Sequence, residues 1–265
     1  MDYSRYRNLT VEKKERIAVV TMNRPDALNA VNMELHKELV HVFEDLVWDD
    51  DVWVVILTGA GKAFSAGGDM KWFKQMRVDP EHNPMIPVEE GINILRNIVE
   101  LPKPVIAAVN GTAIGLGTSL AFSCDIIIAA ENARFADAHV SMGIAAGDGG
   151  CVMWPLMMGM AKAKEHLFTA DPLNLRDAER MGIVNKVVPA EQVMPEAMAF
   201  AKRLAAGPPL AIKYTKMALN REVSRRLHAI LPTSLALEFL CFATKDHEEA
   251  LNAFLEKRSP TFTGR

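Results

Sequence analysis

The chain has 265 residues, 49% hydrophobic and 24% charged, which supplies a sizeable core and excludes a disordered or low-complexity polymer. Lys plus Arg number 30 and Asp plus Glu 33, and the net charge of −3 argues against a nucleic-acid partner or an acidic membrane surface. Cys124, Cys151 and Cys241 form neither a metal-ligand spacing nor a disulfide framework, and the charged start lacks a secretory apolar region, so a soluble cytoplasmic protein is expected.

Taken in chain order, Arg16–Met22 reads as a strand, and Met33–Trp48 sets Leu35, Leu39, Val42, Phe43 and Leu46 on one helical stripe. Val52–Thr58 is a continuous apolar run, as expected of a strand buried on both faces. The glycine-punctuated segment GAGKAFSAGGDM follows. Then come a short helix near Met70–Arg77, a polar proline-broken loop over Asp79–Pro87 and a helix from about Glu89 to Glu100. Val105–Cys124 carries no charge over a length that could span a bilayer, but Asn110, Gly111, Gly115 and Gly117 divide it into strand, tight turn and helix. Ile126–Ala130 is the next strand.

From Gly149 onward the pattern turns helical. The expected helices are Ala161–Leu167, Leu175–Met181 with Asn174 as its cap, Met194–Ala206, Leu210–Asn220, Val223–Phe242 and His247–Arg258. Only Ile183–Val188 looks extended. The expectation is an α/β core over residues 1–195 and a helical C-terminal region over 196–265.

P-loop, HExxH, Cys/His and GxSxG signatures are all absent. Two glycine-rich turns remain, each after a buried strand: FSAGGD at 64–69 and NGTAIGLG at 110–117. Such turns bring backbone N–H groups close to a ligand, and two N–H groups converging on one point make an oxyanion hole. Taken singly, each is equally an ordinary tight turn.

Together they resemble the enoyl-CoA hydratase/isomerase (crotonase) superfamily. The likeness runs from about Ile17 to Arg265 through NRP at 23–25, ALNA at 27–30, AFSAGGDM, PVIAAVNGTAIGLG, CDIIIAAENARFA, GIVNKVVP and the C-terminal DHEEALNAFLEKRSPTFTGR. The resemblance implies a spiral of ββα units with a helical C-terminal region that serves oligomerisation and covers the coenzyme A site. It further implies assembly as a trimer or dimer of trimers, and an acyl-CoA substrate in fatty acid metabolism. Coenzyme A enters as the thioester carrier, with no metal and no other cofactor. By position, the oxyanion donors are the N–H groups of Gly68 and Leu116; leucine stands where the family usually has glycine. Ala66, with Ala27 and Leu28 opposite, matches the adenine-binding wall. Arg24, Lys71 and Lys257 match phosphate contacts or are ordinary solvated charges, and Phe254 and Lys257 are placed to reach a neighbouring subunit's coenzyme A.

Hydratases of the family hold water between two glutamates, and the matching positions here are Ser119 and His139. Asp148 is therefore expected as the principal acid/base, with His139 orienting it or relaying a proton. Asp148 equally suits the N-cap of a helix beginning near Gly149. The run GIAAGDGGCVMWP with His139 and Glu238 also resembles members that cleave carbon–carbon bonds, such as 6-oxocamphor hydrolase, although their further histidine falls at Leu116. A hydratase or isomerase is the leading reading. A carbon–carbon bond hydrolase or decarboxylase is the alternative, and a non-catalytic acyl-CoA-binding or RNA-binding member is a third.

Overall fold

Strands buried on both faces need neighbours on both edges and helices on both sides, and the apolar runs of this chain satisfy that demand against one another. The structure is a computed structural model that describes residues 1–78 and 85–265. In chain order it comprises β1 (Leu9–Lys14), β2 (Ile17–Met22), α1 (Met33–Trp48), β3 (Val54–Gly59), β4 (Ala63–Ser65), α2 (Met70–Val78), α3 (Met85–Glu100), β5 (Val105–Val109), β6 (Thr112–Ile114), α4 (Leu116–Phe122), β7 (Ile126–Ala130), β8 (Arg134–Ala136) and α5 (Gly150–Met158). There follow α6 (Met160–Thr169), α7 (Leu175–Arg180), β9 (Lys186–Val188), α8 (Val193–Ala205), α9 (Pro209–Phe242) and α10 (Lys245–Glu256).

The long strands form one sheet in the order β1-β2-β3-β5-β7-β9, parallel except for the β1–β2 pair. The three-residue strands form a second parallel sheet, β4-β6-β8. Three times in succession a long strand runs into a short one and then into a helix. This is the expected spiral of ββα units. On one face of the large sheet, β-strand side chains such as Leu57, Ala107 and Ile127 pack in the main core with Leu39 and Phe43 of α1, Leu95 of α3 and Leu231 of α9. On the other face, Ile56, Ile106 and Ile128 pack against Val193, Ala197 and Ala201 of α8. Helix α8 therefore spans the expected boundary at residue 195 and belongs to the packing of the sheet.

Local signals explain the helix ends. Asn32 caps α1 by accepting from Leu35 N at 3.0 Å, and Asn174 caps α7 through Arg176 N and Asp177 N. The expected break between Asn220 and Val223 does not occur, and α9 runs unbroken over 34 residues. Arg221 and Glu222 are good helix formers, and Glu222 pairs with Arg225 and Arg226 one turn on, so charge there decorates the helix instead of stopping it. The polar loop expected over 79–87 lies outside the described residues for 79–84, and α3 begins at Met85. Among the described residues no single helix is long and apolar enough to cross a membrane. The uncharged run at 105–124 folds into β5, β6 and α4.

A buried charge ties α9 to the sheet. Lys216 Nζ donates to Ile98 O at 3.3 Å, Lys103 O at 3.0 Å and Asp125 Oδ2 at 2.7 Å, and its side chain is 5% exposed. Asp125 Oδ2 also accepts from Val105 N at 2.7 Å, where β5 begins. Replacing Lys216 by alanine leaves these acceptors without their donor. Lys216→Ala should destabilise folding by about 3 kcal/mol, in the range for breaking a buried ion pair, measured by urea unfolding.

Candidate active site

The small sheet assembles the site, because each of its strands ends beside a functional group. Past β4 lies Gly68, which also bridges to Val31. Past β6 lies Leu116, the first residue of α4. Past β8 lie Asp137 and His139. Thr118 Oγ1 fastens the ends of β6 and β8 together by sharing its one proton between Ala113 O at 2.7 Å and Ala136 O at 2.9 Å.

Neither Gly68 N–H nor Leu116 N–H has a backbone acceptor among the described residues, while Asp69 N donates to Val31 O and Gly115 N to Ala136 O. Leu116 N belongs to the first turn of α4, where a donor has no partner within its helix and the dipole is positive. Phe73 packs directly over position 68, where a Cβ would stand 2.1 Å from Phe73 Cζ, so any larger residue there would have to displace that ring. Both residues line one cavity of about 40 Å³ with Asp148, Glu238, His36 and a cluster of apolar side chains that includes Trp72 and Phe242. Leucine at 116 keeps the backbone donor and adds an apolar wall.

Behind that cavity lies a chain of ionisable groups. Asp137, fully buried, accepts from His139 N at 3.2 Å, and its Oδ1 lies 2.7 Å from His139 Nδ1. His139 Nε2 lies 3.1 Å from Asp148 Oδ2 and 3.8 Å from Glu238 Oε1. Ser119 Oγ donates to Asp148 Oδ1 at 3.3 Å. Glu238 arrives from α9, and the 145–149 loop meets that helix closely. Ser234 Oγ donates to Gly147 O at 2.8 Å, and a Cβ at Gly147 would lie 2.5 Å from Glu238 Oε2.

Burial works against an imidazolium at His139, but the Asp137 and Asp148 carboxylates outweigh it and raise the histidine well above its ordinary value. Burial pushes Glu238 up to about 8; the His139 charge opposes this, and Asp148 and Asp137 reinforce it. His139 thus lies between two carboxyl groups that favour its protonated form, beside a glutamic acid that burial pushes toward its neutral form. Asp137, His139 and Asp148 bring three potential metal-ligand atoms within 4.8 Å of one another. Both imidazole nitrogens already face carboxylates, which is the geometry of a proton relay.

The structure thus gathers Gly68, Leu116, His139, Asp148 and Glu238 at one place. Asp148 does not cap α5; Gly149 holds that position without a side-chain bond, and the carboxylate turns instead to Ser119 and His139. On the other expected surface, Ala66 N donates to Leu28 O at 3.0 Å, joining the two strips of wall, and Ala27 closes the short turn Pro25–Ala27. Arg24 is engaged within the chain, with Nη2 3.0 Å from Asp69 Oδ2 and Nη1 donating to Ala30 O. Lys71, Phe254 and Lys257 are exposed and stand outside the cavity lining. Sequence reasoning missed Asp137 and His36. The spacing Asp-Ala-His directly after the apolar end of β8 was the available signal for the first.

A family model described as enoyl-CoA hydratase/isomerase matches residues 12–265. The short-chain-enoyl-CoA hydratase of Clostridium acetobutylicum is 41% identical over 256 residues, covering 95% of each chain. The crystal structure of an enoyl-CoA hydratase/isomerase from Mycobacterium paratuberculosis superposes with a TM-score of 0.88 at 36% identity, covering 92% of this chain and 97% of that one. A β-diketone hydrolase from the cyanobacterium Anabaena, bound to (S)-3-oxocyclohexyl acetic acid, superposes with a TM-score of 0.83 at 32% identity, covering 91% and 96%.

The relay geometry makes a direct prediction. Removing the Asp137 charge with Asp137→Asn should lower the pH at which His139 loses its proton, because burial then acts against a weaker opponent. Nitrogen-15 NMR of the imidazole should show His139 still protonated above pH ~7 in the parent and titrating lower in the variant.

Proposed function

The chain belongs to the enoyl-CoA hydratase/isomerase family, and on that premise we propose that it adds water reversibly across the α,β double bond of a short acyl-CoA. It is an acyl-CoA-transforming enzyme of that family. Asp148 and Glu238 take the places of the water-holding glutamate pair. The observation that carries this reading is the unequal state of two carboxyl groups facing one cavity: Asp148 faces an imidazolium, and Glu238 is held neutral by burial. Hydration needs one base and one acid, and this pair supplies one of each.

In the hydration direction, the thioester oxygen sits between the N–H groups of Gly68 and Leu116. Asp148 takes a proton from water as the water oxygen bonds to the β carbon. The electron pair of the double bond moves to the thioester oxygen, where the two N–H donors stabilise the enolate. The enolate collapses as the α carbon takes the proton of Glu238. His139 holds Asp148 in register at 3.1 Å and resets the pair: its Nε2 gives its proton to Glu238, 3.8 Å away, through an intervening water and then takes the proton from Asp148. The small cavity, walled by Trp72, Phe73, Leu116 and Phe242, suits a short acyl group.

The closed chain of imidazole and carboxylates also supports carbon–carbon bond hydrolysis of an oxoacyl thioester, as the likeness to the β-diketone hydrolase suggests. Incubating the protein with enoyl-, saturated and 3-oxoacyl-CoAs in D2O, read by mass spectrometry, separates hydration and exchange from cleavage.

Coenzyme A as substrate carrier is the whole of the cofactor requirement in this proposal, and Leu28 with Ala66 forms its adenine wall. We place the enzyme in the cytoplasm as a homotrimer or dimer of trimers; the exposed Leu210, Tyr214 and Leu219 of α9 and Phe254 and Leu255 of α10 supply apolar surface for contacts between copies.

Asp148→Asn keeps the shape and removes the base, so turnover should fall by about 100-fold or more at an unchanged melting temperature. Because Glu238 must be protonated to donate, kcat/KM for hydration should decline as pH rises through about 8. That limb belongs to the coupled group and should disappear from the residual activity of Glu238→Gln, as a pH–rate profile would show.

A further inference from the structure

One polar group on the cavity wall takes no part in the proton relay. His36 projects from the buried face of α1 and is 6% exposed. Its Nδ1 lies 2.8 Å from Glu90 Oε2 on α3, and its ring packs against Trp72 with centroids 5.3 Å apart. These two contacts fix the ring, and the carboxylate keeps the proton on Nδ1. Nε2 is then directed toward the cavity that His36 shares with Gly68, Leu116, Asp148 and Glu238. No hydrogen-bond partner for Nε2 occurs among the described residues.

Gly91 keeps the space beside that nitrogen open. A Cβ at position 91 would lie 3.9 Å from His36 Nε2 and 3.4 Å from Leu235 Cδ1, on the cavity side of α3. An imidazole nitrogen open to a ligand cavity, with no protein partner among the described residues, is available to hydrogen-bond a polar group of the ligand. An all-carbon acyl chain offers none. An anionic end is disfavoured as well, because the Glu90 carboxylate already lies 2.8 Å from the ring.

We propose that His36, positioned by Glu90, is a specificity-determining residue that hydrogen-bonds an uncharged carbonyl or hydroxyl oxygen on the acyl group, so that the enzyme selects oxygenated short acyl thioesters over plain alkyl ones. This rests on the acyl-CoA reading above and adds the chemical class of the acyl group. A bare Nε2 accepts from a hydroxyl, and a protonated one donates to a carbonyl. A clasp that merely joins α1 to α3 would not distinguish ligands.

Isothermal titration calorimetry tests this with saturated thioesters, which have no double bond to hydrate. The pairs are pentanoyl-CoA against 4-oxopentanoyl-CoA, and hexanoyl-CoA against 5-oxohexanoyl-CoA. The parent should prefer the oxo member of at least one pair by about tenfold or more, as expected of a site built around a polar partner. In His36→Leu that preference should fall below about threefold while alkyl affinity stays nearly constant. Gly91→Ala, which places a methyl beside Nε2 in a helix that alanine favours, should have the same effect and remains folded if His36→Leu does not.

A parent preference under about tenfold in both pairs, or one that stays above about threefold in the folded variants, overturns the proposal. Tight binding of every thioester without preference would remove only the role of His36. Failure of every thioester to bind would remove the acyl-CoA reading and this proposal with it.

Discussion

Hydrogen bonding among three strands of three residues each decides where the chemistry lies. Strands β4, β6 and β8 pair in parallel, with Ser65 opposite Ala113 and Ile114 opposite Ala136, so the segments that follow them emerge side by side. Those segments carry Gly68, Leu116 and the Asp137–His139 pair. Strands this short have little stability of their own. They hold because β3, β5 and β7 deliver them from one continuous sheet, and because side-chain amides, one buried and one half-buried, tie the connections. Asn29 Nδ2 donates to Ala60 O and Ala63 O, and Asn110 Nδ2 to Gly59 O and Gly61 O. The placement of Gly68 and Leu116 on one cavity is thereby a product of register and needs no special side chain.

The ionisable groups are built on the opposite principle. An imidazolium and two carboxylates below or near full burial carry a large desolvation cost, offset only by close contact with one another. The 2.7 Å and 3.1 Å contacts of His139 provide that offset, and they leave no second cation for Glu238. Burial is what lets the glutamic acid keep its proton, against the opposing charge of His139. Asp137 Oδ2 and Glu238 Oε2 remain without hydrogen-bond partners, so the cluster is not optimised for stability. Such local inconsistency is typical of functional sites. The Lys216 anchor that docks α9 against Asp125 and the chain around β5 supports this indirectly, since α9 also carries Glu238.

Much of this was legible in order along the chain. The buried runs at 54–59, 105–109 and 126–130, the stripe of Leu35, Leu39 and Phe43, and the cap at Asn174 follow from periodicity and capping, which act within a few residues. The glycine turns were visible as turns, and the family resemblance gave Gly68 and Leu116 their meaning. The three-residue strands were not visible, because that length contains no period to detect. The continuity of α9 was also missed, since a polar pair at 221–222 resembles a break in hydrophobicity but contains no helix-terminating residue.

Composition, local pattern and resemblance were sufficient for an α/β spiral and an acyl-CoA enzyme, both of which depend on short-range propensity or on motifs kept in a fixed order. The division of labour among Asp148, His139 and Glu238 was open at that level because each residue type is able to give or take a proton. Burial and distance distinguish their surroundings: Asp148 turns from the helix cap to His139, Asp137 supplies a second carboxyl group to that ring, and burial on α9 pushes Glu238 up. The pairing of His36 with Glu90 across two helices belongs to the same class. A residue's charge state is set by the groups within a few ångströms of it, and for these residues most of those groups lie far away along the chain.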